Sequence, residues 1–192
     1  MAKKEKPVKG EYGYLQRVKK NALGHTLLMV AIGLAIFVLG LLLNKMEATN
    51  IFTVFAFLMV LPAAKSFVTV IVTFPYRPIT EEKRNRLEGM KRESDELFYN
   101  MVFTSTERVM HLDCAYVTGS QIIGYTERKR DDAKKIEEYL KKELEIRQLG
   151  HKVYIATEEK QLEKRMALRS EQESFDERDV APVTEMLRLF II

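Results

Sequence analysis

Two long apolar runs dominate the pattern of the chain. Residues 23–43 carry no charged side chain, and residues 51–74 carry one, Lys65. A bilayer core about 30 Å thick is crossed by roughly 20 apolar helical residues, and both runs reach that length. The short stretch 44–50 between them allows only an antiparallel neighbour. The pattern predicts a two-helix transmembrane hairpin over residues 23–74, with spans 23–43 and 51–74. Gly33 and Gly40, seven apart, share one helical face and let the second span approach closely. Pro62 lacks an N–H and predicts a kink in the second span.

Pro75, Tyr76, Arg77 and Pro78 end that helix. Thr80 then caps a charged helix with Glu81 and Glu82 in its first turn, running to about residue 96. From residue 97 the pattern becomes β. Residues 97–105 are rich in aromatic and β-branched side chains. Residues 108–119 alternate, with Val109, His111, Asp113, Ala115 and Val117 on one face and Met110, Leu112, Cys114 and Tyr116 on the other. Gly119 and Ser120 turn the chain into a third strand, 121–127. Asp131 or Asp132 caps a long helix whose apolar stripe is Ala133, Ile136, Leu140 and Leu144, and Gly150 ends it. A strand follows at 151–157, then a helix capped by Thr157 to about residue 170. A polar loop covers 171–181, and a short apolar helix starts at Pro182. The expected fold is a membrane α-helical hairpin plus a small α+β cytoplasmic domain, residues 79–192, of order α-β-β-β-α-β-α-α. Its mixed four-stranded sheet has the third and fourth strands parallel, because a helix joins them.

Charge changes the picture by being uneven. Residues 1–78 hold ten Lys/Arg and three Asp/Glu, a balance of +7, and residues 79–192 hold 21 and 24, a balance of −3. The basic half points to an anionic lipid surface, and the acidic half argues against nucleic acid as a partner. Basic residues flank both outer ends of the hairpin, at Arg17, Lys19 and Lys20 and at Arg77, Lys83, Arg84 and Arg86. The intervening loop has only Lys45 beside Glu47. The positive-inside rule then predicts a multi-pass protein of the inner (plasma) membrane with both termini cytoplasmic. Residues 1–22 are expected to form a basic cytoplasmic arm near lipid headgroups. The first apolar run is too long for a signal peptide and no small-residue cleavage site follows it.

Candidate chemistry is sparse. One cysteine, Cys114, excludes an intramolecular disulfide and a thiolate zinc cluster. His25, His111 and His151 lack metal-ligand spacing. Lys65 is the one charged side chain inside either span, and such residues are functional candidates. Pro62, Lys65, Ser66, Thr69 and Thr73 fall roughly along one side of the helix.

Asp113 in the second strand, a hairpin turn, then Glu127, Arg128 and Lys129 at the end of the third form a pattern that resembles the PD-(D/E)xK nucleases of the restriction-endonuclease-like superfamily. The resemblance implies Mg²⁺ held by Asp113 and Glu127, with Lys129 orienting the attacking water. Two acids suit a hard cation, and a cation suits the charge that builds on phosphate. The whole chain also resembles an uncharacterised group of small bacterial membrane proteins. These have two spans, a Leu-Pro-Ala-Ala-Lys stretch (here residues 61–65) and a cytoplasmic αβ domain.

These readings favour a non-enzymatic protein whose cytoplasmic domain is a binding or assembly module, with no cofactor and with membrane lipids and an unidentified protein as partners. One alternative is a membrane-tethered Mg²⁺-dependent nuclease using Asp113, Glu127 and Lys129. Another is a homo-oligomeric membrane unit in which Lys65 and Pro62 handle an ion or anionic lipid.

Overall fold

The computed structural model describes residues 8–104, 108–128, 130–172 and 180–192. The chain divides into two compact units, the hairpin Leu15–Pro75 and a second unit formed by residues 8–14 with Tyr76–Ile192.

The hairpin begins with α1 (Tyr14–Leu43), which starts well before the apolar run. The second run is two helices, α2 (Ile51–Leu58) and α3 (Val60–Thr73), divided at Met59. Pro62 explains the division. It cannot donate to the carbonyl of Leu58, four residues back, and its ring crowds that carbonyl. The Met59 N–H is shared between the carbonyls of Phe55 and Ala56, both at 3.2 Å, and the ladder resumes where Ala63 donates to Met59. Asn50 caps α2 by accepting the Thr53 N–H at 3.1 Å. Thr26, Gly33 and Gly40, seven apart, are the buried positions along α1 beyond Leu15. A Cβ on Gly33 would lie 3.3 Å from that of Met59, and one on Gly40 would lie 2.5 Å from that of Phe52. The two glycines therefore set how closely the helices pack, as their spacing predicted.

In the second unit, Thr80 caps α4 (Glu81–Met90) through the Lys83 N–H at 3.4 Å. This helix stops short of the expected end. Asp95, 1% exposed, is needed beyond it as the acceptor of the Tyr116 hydroxyl proton, so the segment between leaves the helix. Strands β1 (Glu96–Thr104), β2 (Val109–Val117) and β3 (Gln121–Tyr125) form an antiparallel meander. After α5 (Arg130–Ile146), β4 (Lys152–Ala156) pairs parallel with β3. The order is β1-β2-β3-β4, the mixed four-stranded sheet expected. Helices α6 (Glu159–Gln172) and α7 (Ala181–Phe190) follow. α6 starts two residues past the expected Thr157 cap. After α5, Gln148 takes the left-handed backbone at φ 56, the role expected of Gly150.

The sheet is covered on both faces. α5 and α7 supply Ala133, Ile136, Leu140, Leu144, Val183, Met186 and Leu187 to one core with Ile122, Val153 and Ile155. α4 and α6 supply Leu87, Leu162 and Met166 to the other with Ile123, Tyr125 and Ala156. Neighbours along β3 and β4 thus go to opposite cores, as a pleated strand requires.

β1 and β2 depart from that rule. Phe98 and then Met101 and Phe103 enter the α5 side, and so do Met110, Leu112, Ala115 and Val117. Each strand takes one step of three, at Asn100 and at Asp113. The ladder pairs Tyr99 with Cys114 and Met101 with Leu112 but skips the position between them. Asn100 has φ 49, a conformation that Asn tolerates better than most residues. The regular alternation expected for the second strand is therefore corrected. Both strands change phase together at Asn100 and Asp113.

The outer edge of β1 is closed by both ends of the described chain. Tyr99 donates its N–H to Gly10 at 2.7 Å, and Ile192 donates to Val102 at 3.0 Å. Lys9 Nζ donates to the Ile191 carbonyl at 2.6 Å, and Tyr12 meets Tyr99 edge-on at 6.0 Å. Residues 8–14, expected as part of a headgroup-level arm, thus form a strap on the sheet. Strand-edge pairing with distant residues leaves no local periodicity to read. Gly10 has φ +89, and a Cβ there would overlap the Phe98 ring. Gly10→Ala is expected to cost at least about 2 kcal/mol, from backbone strain and overpacking together. Denaturant unfolding of the detergent-solubilised chain checks this, and an unchanged midpoint would refute the strap.

Candidate functional site

The phase change puts polar side chains at the middle of two largely apolar strands. Asn100 is 3% exposed, and its Oδ1 accepts the Ile79 N–H at 3.2 Å. Asp113, across from it on β2, turns its carboxylate toward the loop that leaves β3. Oδ2 accepts the Glu127 N–H at 2.9 Å. The same loop is tied twice more. The Thr126 N–H donates to Ala156 at 3.0 Å, and the Arg128 N–H donates to the Thr126 hydroxyl at 3.3 Å. Three successive backbone donors of the loop are satisfied in this way. Burial raises the Asp113 carboxyl above the ordinary carboxylate range, and the Glu127 N–H bond opposes that shift.

Lys83 of α4 provides the local cation. Its ammonium lies 3.2 Å from Glu159, 3.9 Å from Glu127 and 4.1 Å from the centre of the Tyr125 ring. Burial alone would lower this ammonium, but the hydrogen bond to Glu159 and the neighbouring Tyr125 and Glu159 hold it above its usual value. Beside Asp113, the His111 ring stacks on Tyr76 at 4.3 Å, and the Arg128 guanidinium covers Tyr76 at 4.8 Å. His111 Nδ1 is 3.9 Å from Asp113 Oδ1.

The nuclease-pattern residues occupy this place in part. Asp113 and Glu127 are brought together, but through a backbone N–H. The Glu127 side chain is 73% exposed and reaches Lys83. Lys129 lies outside the described residues. Among the described residues no three His, Cys, Asp or Glu side chains converge to hold a metal ion. The buried Cys114 thiol is pushed up by burial, so it stays protonated and inert.

In the hairpin, Pro62 marks the division described above and the Lys65 side chain is exposed. An apolar groove of about 640 Å³ between α1 and the α2–α3 pair is lined by Gly33, Phe37, Phe57 and Phe67 among others, but not by Lys65. The polar side expected around Lys65 divides. Ser66 bonds His25 Nδ1 at 2.8 Å, and Thr73 donates to the Thr69 carbonyl at 2.7 Å.

Sequence reasoning missed Lys83, Tyr76 and Asn100 as members of the polar cluster. The first two read as a flanking charge and a helix-ending segment. The available signal was Asn100, a turn-favouring residue in the middle of an aromatic strand. Comparisons with protein-family models, curated proteins and solved structures find no match for this chain.

The Asp113 carboxylate matters here as an acceptor. A group whose folded pKa is raised gives stability that is fully present below its unfolded pKa and is lost as pH rises through the folded value. Asp113→Asn keeps an acceptor and removes the buried charge. It is expected to match or exceed the native stability at pH 7, with the advantage fading as pH falls into the carboxylate range. Asp113→Ala removes the acceptor of the solvent-accessible Glu127 N–H and is expected to cost about 0.5–1.5 kcal/mol. Unfolding midpoints from pH 3 to 8 check both, and an Asn variant as weak as the Ala variant would show that the charge itself is required.

Proposed function

We propose that the chain is an integral membrane protein of the inner (plasma) membrane that presents its α+β unit in the cytoplasm as a binding or assembly module. The observation that carries this reading is the uncovered apolar surface of the hairpin. Tyr14–Leu43 and Ile51–Thr73 are long and apolar enough to cross a membrane, yet only 11% and 6% of their most apolar windows are buried. A core helix of a soluble protein would be covered by its own fold. Here Leu27, Leu34, Leu42, Phe57 and Leu61 stand more than half exposed. In lipid that exposure is favourable, and in water a continuous patch of this kind drives association.

Flanking charge supports the orientation. Arg17, Lys19 and Lys20 precede one span and Arg77, Lys83, Arg84 and Arg86 follow the other, while the connecting loop has Lys45 beside Glu47. The module reading rests on a sheet covered on both faces, with a charged end built on Asp113, Lys83 and Arg128. The exposure of Lys65, away from the groove, suits a side chain that reaches to a headgroup surface.

Single-cysteine labelling tests the reading, because Cys114 is fully buried and silent. Ala48 and Lys160 are both exposed. In intact cells a membrane-impermeant maleimide is expected to label Ala48→Cys and spare Lys160→Cys until the membrane is opened. The chain is also expected to resist alkaline extraction. Release by alkali, or the reverse labelling pattern, would overturn the proposal.

A further inference from the structure

Beyond the Asp113 cluster, the approach to β2, the loop after β3 and the first turns of α5 meet around a small hollow of about 20 Å³. Arg108, His111, Arg128, Asp132 and Lys135 line it, above the buried side chains of Met110 and Ile136. Among the described residues, three cationic side chains thus face one carboxylate. Arg128 and Lys135 have no ion-pair partner among the described residues. The Arg128 guanidinium is held in place over Tyr76, which in turn stacks on the buried His111 ring.

The charge, size and position of this hollow point to the same ligand chemistry. Cations in excess of carboxylates around a concavity concentrate anions. Asp132 and Lys135 belong to the opening turns of α5, the end of a helix whose amides carry positive partial charge. A hollow needs about 10–15 Å³ to hold one water-sized group, so this one admits a single oxygen and leaves the rest of the anion outside. An arginine fork matches two oxygens of a tetrahedral anion at once. We propose that this hollow binds a terminal phosphoryl group, with one oxygen seated beside His111 and the others met by Arg108, Arg128 and Lys135. A phosphorylated solute and the headgroup of a phosphatidate share that chemistry.

The test uses the full chain in neutral detergent at constant ionic strength. Lys135 is acylated with an amine reagent and read by peptide mass spectrometry, with the exposed Lys142 of the same helix as internal control. The probes are inorganic phosphate and dihexanoyl phosphatidate, with chloride as reference. Saturable protection of Lys135 but not Lys142 is expected, with an apparent affinity that falls at least tenfold in Arg128→Gln. Protection by phosphate at equal or lower concentration than the lipid assigns a soluble ligand. At least tenfold tighter protection by the phosphatidate assigns a headgroup. Lys135 reacting equally with and without both probes overturns the site, as does unchanged protection in the variant. If Arg128→Gln fails to fold, Arg108→Gln takes its place, and protection of the native chain is informative without either.

Discussion

The hydrogen bond from the Glu127 N–H to the Asp113 carboxylate secures the point at which the α+β unit departs from regular geometry. A β-strand of strict period two cannot send Leu112 and Ala115 into the same core. β1 and β2 do so by changing phase together, at Asn100 and Asp113. The skipped ladder position leaves backbone and side-chain polar groups to be satisfied by other means. Ile79 supplies a donor to Asn100, and Glu127 supplies one to Asp113. The first tie fixes the segment entering α4, and the second fixes the loop leading to α5. The helices on both faces therefore take their positions partly from one irregularity in the sheet.

The hairpin obeys a different constraint. Under the membrane reading proposed above, its side chains gain nothing from one another that lipid would not also give, so close backbone approach and satisfied polar groups decide its packing. Gly33 and Gly40 provide the approach. Asn50 caps α2 locally, and His25 pairs with Ser66 across the two helices. Pro62 interrupts α2–α3 at a cost of one backbone hydrogen bond, and the shared Met59 N–H limits the disruption.

Most of this was legible in the sequence because it is local or periodic. The apolar runs, the stripe of Ala133, Ile136, Leu140 and Leu144, the Thr80 cap and the parallel pairing implied by a β-α-β order all follow from spacing. The phase change was hidden because Val109 to Val117 alternates acceptably in either register, and only packing against α5 selects the observed one. The strap at Gly10 was hidden because its partners, Tyr99 and Ile191, are distant in sequence. For the same reason Lys83 was readable as a flanking charge but not as the cation beside Glu127 and Glu159. The Asp113 carboxylate meets the Glu127 backbone N–H and not its carboxylate, a contact the spacing did not reveal. Spacing does not distinguish two carboxylates sharing a cation from a carboxylate accepting a backbone N–H.

The measurement that tests this account most directly is the backbone amide of Glu127, followed by NMR hydrogen exchange and pH titration in the full chain. The structure predicts a slowly exchanging amide whose proton shift titrates with the Asp113 carboxyl, at a midpoint above the ordinary aspartate range. A Glu127 amide that exchanges as fast as an open turn, with no response to Asp113, would mean that the carboxylate does not hold the loop and that the sheet's phase change has another cause.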